Sequence, residues 1–176
     1  MTTLTTTLLV VAGIIVLLLI IAFVTRKTYN VQREIIINAP VQQVFDYLKQ
    51  LKNQDNFNKW VMVDPNMKRE FKGTDGTVGF VYAWNGNKRA GAGEQELISI
   101  VEGKKIESEV RFIRPMTGIA NAVMTTEALS SNQTKVNWNN TSEMKYPANI
   151  MISMIEKMLG KDMDTSLNNL KTILEK

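Results

Sequence analysis

The residues Leu8 to Val24 read LLVVAGIIVLLLIIAFV, and nothing else in the chain limits its possible folds as strongly. No charged residue stands before Arg26. From Leu4 the run offers about 21 residues, and roughly 20 at 1.5 Å each cross a bilayer core. A helix at the edge of a soluble core keeps a polar face, and this one has none. A cleaved signal peptide needs basic residues before the apolar run and a small-x-small site after it. Here MTTLTTT precedes it and Thr25-Arg26-Lys27-Thr28-Tyr29 follows, so the segment reads as an uncleaved span. Arg26 and Lys27 flank it on one side only, and basic flanks stay in the cytoplasm. Residues 1–27 are therefore expected to be a transmembrane anchor with its N-terminus outside. Residues 28–176 are expected to form a single cytoplasmic domain.

Beyond the span the chain changes character. All 21 basic and 17 acidic residues lie there, and the net charge of +4 is thinly spread. Lys68-Arg69 and Lys104-Lys105 read as solvated strand and turn positions, and no interleaving of basic and aromatic residues points to nucleic acid. Arg26 and Lys27 add attraction to anionic headgroups. The chain has no cysteine and no histidine. That removes disulfides, thiolate nucleophiles and thiolate-held metals, together with the commonest metal ligand and the commonest base near neutral pH. No metal and no cofactor are expected, and acid–base chemistry would fall to carboxylates, Lys or Tyr. Gly91-Ala92-Gly93 lacks the following helix that a phosphate-binding loop requires.

The periodicities set the order of elements. Tyr29–Asn38 reads as a strand ended by Ala39-Pro40, and Val41–Leu51 places Val44, Phe45, Leu48 and Leu51 at helical spacing. A short helix or loop covers Asn53–Trp60, and Asp64-Pro65-Asn66 is a turn. Strand-like runs follow at Met67–Lys72, Thr77–Trp84, Ala90–Val101, Lys105–Ile113, Gly118–Leu129 and Thr134–Ser142, with Asn85-Gly86 as the strongest hairpin signal. Lys105–Ile113 alternates, with Ile106, Val110 and Phe112 on one side and Glu107, Glu109 and Arg111 on the other. From Pro147 a long helix runs to about Lys176, with an apolar stripe through Ile150, Met154, Met158, Leu167, Leu170 and Leu174. Short connections imply antiparallel neighbours, and a sheet with one dry face needs a cover. The expected architecture is α+β: a curved antiparallel sheet of about seven strands wrapped around the C-terminal helix.

In that order the motifs resemble the SRPBCC (START/Bet v 1-like, polyketide cyclase-type) helix-grip family. The resemblance covers about residues 29–176. It rests on Ala39-Pro40-Val41 with Val44-Phe45-Asp46-Tyr47-Leu48, on Trp60 before Asp64-Pro65, on Gly76-Thr77-Val78-Gly79, on Thr134-Lys135-Val136-Asn137-Trp138, and on Leu167 with Asn169-Leu170-Lys171. The resemblance implies a cavity between sheet and helix for a lipid, sterol, aromatic product or quinone, with cyclisation or dehydration in some members. It carries over no catalytic residue. It also suits a bacterial inner membrane as the location.

Several residues are candidates for the cavity. Val78, Phe80, Tyr82 and Trp84 share a face at period two, either as plain core or as a wall with the Tyr82 phenol as its polar handle. Trp60 and Trp138 fit core or cavity rim. Phe112, Met124, Met154 and Met158 complete the expected lining, since Met adapts to irregular space. Gly160 marks either a close approach or a kink. Glu94 and Glu96 face the same way on a strand. They are either a solvent face or, pointing inward with Tyr82, an acid–base set. Three functions follow: a membrane-anchored binding domain for a hydrophobic small molecule or lipid, a cyclase or dehydratase using Tyr82 with Glu94 or Glu96, or a protein-interaction module with a closed cavity. Neither ligand nor oligomeric state is legible from the sequence.

Overall fold

The computed structural model describes residues 2–176. Helix α1 (Thr3–Val24) is exposed along its length except at Ala22, so it stands away from the rest of the chain. The sheet strands are β1 (Thr28–Ile37), β2 (Lys68–Lys72), β3 (Val81–Asn85), β4 (Ala92–Val101), β5 (Lys105–Arg114), β6 (Gly118–Ser130) and β7 (Gln133–Glu143). Between β1 and β2 lie α2 (Val41–Lys49), a 3-10 turn (Leu51–Asn53), α3 (Gln54–Phe57) and α4 (Lys59–Met62). After β7, a 3-10 turn (Ala148–Met151) leads into α5 (Ile152–Leu174).

The seven strands form one antiparallel sheet in the order β1-β7-β6-β5-β4-β3-β2. Apart from the first connection, every step is a hairpin, and the chain returns to place β1 beside β7. The sheet curves around α5, whose Met163, Leu167, Leu170 and Leu174 are buried against Ile37, Val44, Phe45, Leu97 and Val136. This is the helix-grip arrangement that the hairpin signals and the lone long amphipathic helix imply.

The registers define two poles. The start of β1 meets the end of β7, the start of β6 meets the ends of β7 and β5, and the start of β4 meets the ends of β5 and β3. Those ends, the start of α5 and the junction with α1 all lie at one pole, here called the proximal pole. Asn149 is fully buried there, and its side-chain amide donates to the carbonyls of Ala22 (2.6 Å) and Thr25 (2.9 Å). These are among the carbonyls that the last turn of a helix leaves without partners.

Two local expectations need correction, and of the two readings of Gly160 the close approach holds. The run Thr77–Trp84 is a strand only from Val81. Gly73, Gly76 and Gly79 have positive φ, and Phe80 N donates to Thr77 O, so a turn occupies residues 74–79 and Val78 is exposed. The apolar stripe of α5 is displaced in its first half. Ile152, Gly160 and Met163 face inward, whereas Met154 and Met158 are 57% and 56% exposed. The helix is continuous, and Met158 lies nine residues, about two and a half turns, before Leu167, which puts it on the opposite side. Gly160 does not break α5. The guanidinium of Arg33 crosses it so closely that a Cβ would stand 2.1 Å from Arg33 Nη2.

Candidate functional site

A cavity of about 310 Å³ lies between the sheet and the first half of α5. That volume falls at the lower end of the range for small-molecule sites. Its wall takes Trp84, Val110, Phe112, Ala120, Ala122 and Trp138 from the sheet, Ile155, Met158 and Leu159 from α5, and Trp60 and Val61 from α4. Asn58 caps α4 by accepting from Trp60 N (3.1 Å), which fixes where the Trp60 ring points. Trp60 Nε1 donates to Asp162 (3.1 Å) on α5, and its ring meets Trp138 edge-on with centroids 5.7 Å apart. Trp84 lies across Gly93, where a Cβ would stand 2.7 Å from the indole ring, and donates from Nε1 to Ala90 O (3.1 Å). Gly93 thus gives the indole its seat, and Phe112 closes on it edge-to-face at 6.2 Å.

The inner end is polar, and sequence reasoning missed this part. Asn58 Nδ2 donates to Gln54 Oε1 (2.8 Å), Gln54 Nε2 to Gln95 Oε1 (3.2 Å), and Gln95 Nε2 to Ser108 Oγ (2.7 Å). The Trp138 indole is 3% exposed, and its Nε1–H has no partner among the described residues. A buried donor left unmade is costly, so this end of the wall favours an acceptor atom. Gln54 and Gln95 lie 41 residues apart, so no local pattern could join them.

The sequence candidates divide. Trp60, Tyr82, Trp84, Phe112, Trp138 and Met158 stand on the wall. Phe80 is instead packed in the core against Phe71, with centroids 6.2 Å apart. Met124 belongs to the layer behind the cavity, beside a void of about 10 Å³ that touches Leu48, Phe57 and Trp138. Val78 and Met154 are exposed and line nothing.

Glu94 and Glu96 project from the opposite face of the sheet. Gln95, between them, is the residue that reaches the cavity. Arg111 binds both carboxylates (Nε to Glu94 2.7 Å, Nη2 to Glu96 2.7 Å) and Glu109 as well (2.6 Å). The inward acid–base set is therefore excluded, and the wall of the cavity carries no carboxylate among the described residues.

Tyr82 shows its ring to the cavity, but its hydroxyl is engaged elsewhere. It donates to Asp55 and accepts from Arg69 Nε (3.0 Å). Burial, and then the hydrogen bond to Asp55, push its pKa well above the ordinary 10.0, against the opposing pull of Arg69. Tyr29, also on the wall, is raised by burial. A phenol held neutral in the fold stabilises it fully below pH 10.0, and that stability is lost as pH rises from there through the folded value. In an alkaline titration followed by near-ultraviolet absorbance, Tyr82→Phe is expected to remove a late-ionising phenol. If that variant removes an early one, the Asp55–Tyr82–Arg69 arrangement is wrong.

A sequence model described as "Polyketide cyclase / dehydrase and lipid transport" matches residues 28–175. No curated protein has a sequence that matches. Among solved structures, truncated norcoclaurine synthase from Thalictrum flavum superposes with a TM-score of 0.66 at 9% identity, covering 85% of this chain and 95% of that one. The Zhui aromatase/cyclase from Streptomyces sp. R1128 gives 0.62 at 12% identity, covering 84% and 94%. The Aha1 dimer from Colwellia psychrerythraea gives 0.58 at 18%, covering 84% and 96%. At these identities the likeness is one of fold.

Proposed function

The chain belongs to the polyketide cyclase/dehydrase and lipid transport family, and from that premise we propose that it is a membrane-anchored domain that binds a hydrophobic small molecule or lipid between its sheet and α5. The observation that carries the reading is the cavity itself: aromatic and aliphatic for most of its wall, polar at its inner end, and without a carboxylate, lysine or histidine among the residues that line it. Such a wall can desolvate and orient a molecule but offers few groups to move its protons. A cyclase reading would need a proton carrier, and the arginines at the mouth and two raised phenols are poor ones. An interaction module with a closed cavity fits less well, because this cavity is open.

The anchor is the second part of the proposal. Helix α1 is 22 residues long, close to what a bilayer core requires, and apart from Ala22 it is uncovered among the described residues. Arg26 and Lys27 favour a domain on the cytoplasmic side, and a bacterial inner membrane is the location we propose. A ligand that partitions into a bilayer is met more often by a tethered domain. Native mass spectrometry of the full-length chain in mild detergent is expected to show a bound apolar molecule, and a chain that stays empty across a lipid panel would refute the binding reading. A C-terminal reporter is expected to be active on the cytoplasmic side, and activity only outside would reverse the orientation.

A further inference from the structure

We infer that the proximal pole is a bilayer-docking surface and that the cavity fills and empties directly through the membrane against which it lies. The inference rests on the proposed anchoring of α1 and adds the direction in which the site faces. The exposed members of the cavity wall are Arg89, Phe112, Arg114, Pro115 and Met158, and they mark its mouth. Arg89 and Pro115 lie in connecting segments at the proximal pole, Phe112 and Arg114 at the end of β5, and Met158 in the second turn of α5. The donors at the inner end lie deeper. Gln95 is three residues into β4, about 10 Å from the pole at the rise of a strand.

Two apolar lips flank this mouth. One is the end of β5 and its turn, with Phe112, Ile113 and Met116 exposed. The other is the exposed stripe of α5, with Met151, Met154 and Met158. Exposed apolar side chains grouped at one end of a polar domain mark an interaction site. Two observations identify the partner as lipid. First, three residues connect this pole to the end of α1, and Asn149 holds the helix end against it, so a membrane crossed by α1 begins level with the lips.

Second, the charge is polarised. The connecting segments at the proximal pole (residues 25–27, 63–67, 86–91, 115–117 and 144–147) carry Arg26, Lys27, Lys88, Arg89 and Lys145. Their single acid, Asp64, is buried and accepts from Asn87 N (2.7 Å) and Asn66 N (3.1 Å). The segments at the far pole balance Asp75, Glu102 and Glu175 against Lys52, Lys104 and Lys176, and Lys49 pairs with Glu102 there (3.3 Å), so the basic excess belongs to the proximal pole. Apolar tips inside a basic collar complement an anionic headgroup layer over acyl chains. A molecule entering from the bilayer would bring its polar end to Trp138 Nε1 and leave its apolar end at the lips.

The chain lacks cysteine, so single probes can be placed cleanly. Full-length Met116→Cys, Met154→Cys and Asn132→Cys, each carrying an environment-sensitive fluorophore, would be reconstituted into phosphatidylcholine/phosphatidylglycerol vesicles. Probes at 116 and 154 are expected to shift to the blue and lose most of their emission to lipids brominated along the acyl chains. The probe at 132, in the far β6–β7 turn, is expected to stay in water. All three reporting water would overturn the inference. An equal shift in purely phosphatidylcholine vesicles would overturn the role given to the basic collar. Probes in water on a chain that still carries a bound molecule in detergent would refute docking alone. Buried probes on a chain that is always empty would refute the binding reading and the filling route with it, leaving the docking surface standing.

Discussion

Ala122→Phe is expected to abolish ligand retention while leaving the fold intact. Ala122 sits mid-strand on β6, 7% exposed, with its methyl on the wall shared by the cavity and the void behind it. A phenyl ring there projects into space rather than into packed atoms. The usual penalty for overpacking a core, about 1–3 kcal/mol, should therefore be largely avoided. The neighbouring residue, Asn121, is exposed on the other face of the same strand, and Asn121→Phe adds the same ring where no cavity exists. Native mass spectrometry should find the first variant empty and the second loaded, with similar melting temperatures. Equal occupancy in both would mean that the bound molecule lies elsewhere.

The second large effect concerns stability. Leu170→Ala is expected to cost about 2–5 kcal/mol, the range for truncating a fully buried leucine. Domains of this size hold only about 5–15 kcal/mol in total. Leu170 is fully buried at the centre of the helix–sheet contact. Met154→Ala, on the same helix and within the stripe that periodicity suggests, is expected to cost less than about 0.5 kcal/mol because Met154 is exposed. Thermal or urea unfolding of the full-length variants in one detergent distinguishes them. Comparable losses would mean that the first half of α5 is packed against something.

These two residues also show how far the sequence could be read. Leu167, Leu170 and Leu174 repeat at helical spacing and face the sheet, because an uninterrupted helix keeps its phase. Extending the same stripe back to Met154 and Met158 fails because α5 is unbroken and keeps that phase: Met158 stands nine residues, about two and a half turns, before Leu167 and so lies on the opposite side. The hairpins were legible because their turn residues are adjacent in sequence, whereas Val78 was misassigned because three glycines turned an apparent strand into a loop. The aromatic part of the wall was legible from period-two alternation: Tyr82 and Trp84 share a face that reaches the cavity. The polar end was not, because Gln54, Asn58, Gln95 and Ser108 come from three separate elements and look like ordinary surface residues one at a time. The outward course of Glu94 and Glu96 follows from the inward course of Leu97, once the irregularity between Leu97 and Ser99 places the extra residue after them rather than before.

The Asn149 clamp has one further consequence. The amide grips main-chain oxygens of Ala22 and Thr25, which every sequence possesses, rather than any side chain of the apolar helix. Among the described residues of α1, Ala22 alone is buried (1% exposed), so residue 22 must stay small. As the proposed anchor, α1 is thus an interchangeable part. Its leucines, isoleucines and valines can drift, lengthen or be swapped for another span to suit a thicker or thinner bilayer. The coupling keeps its geometry through such changes, and selection on membrane fit is decoupled from selection on the cavity.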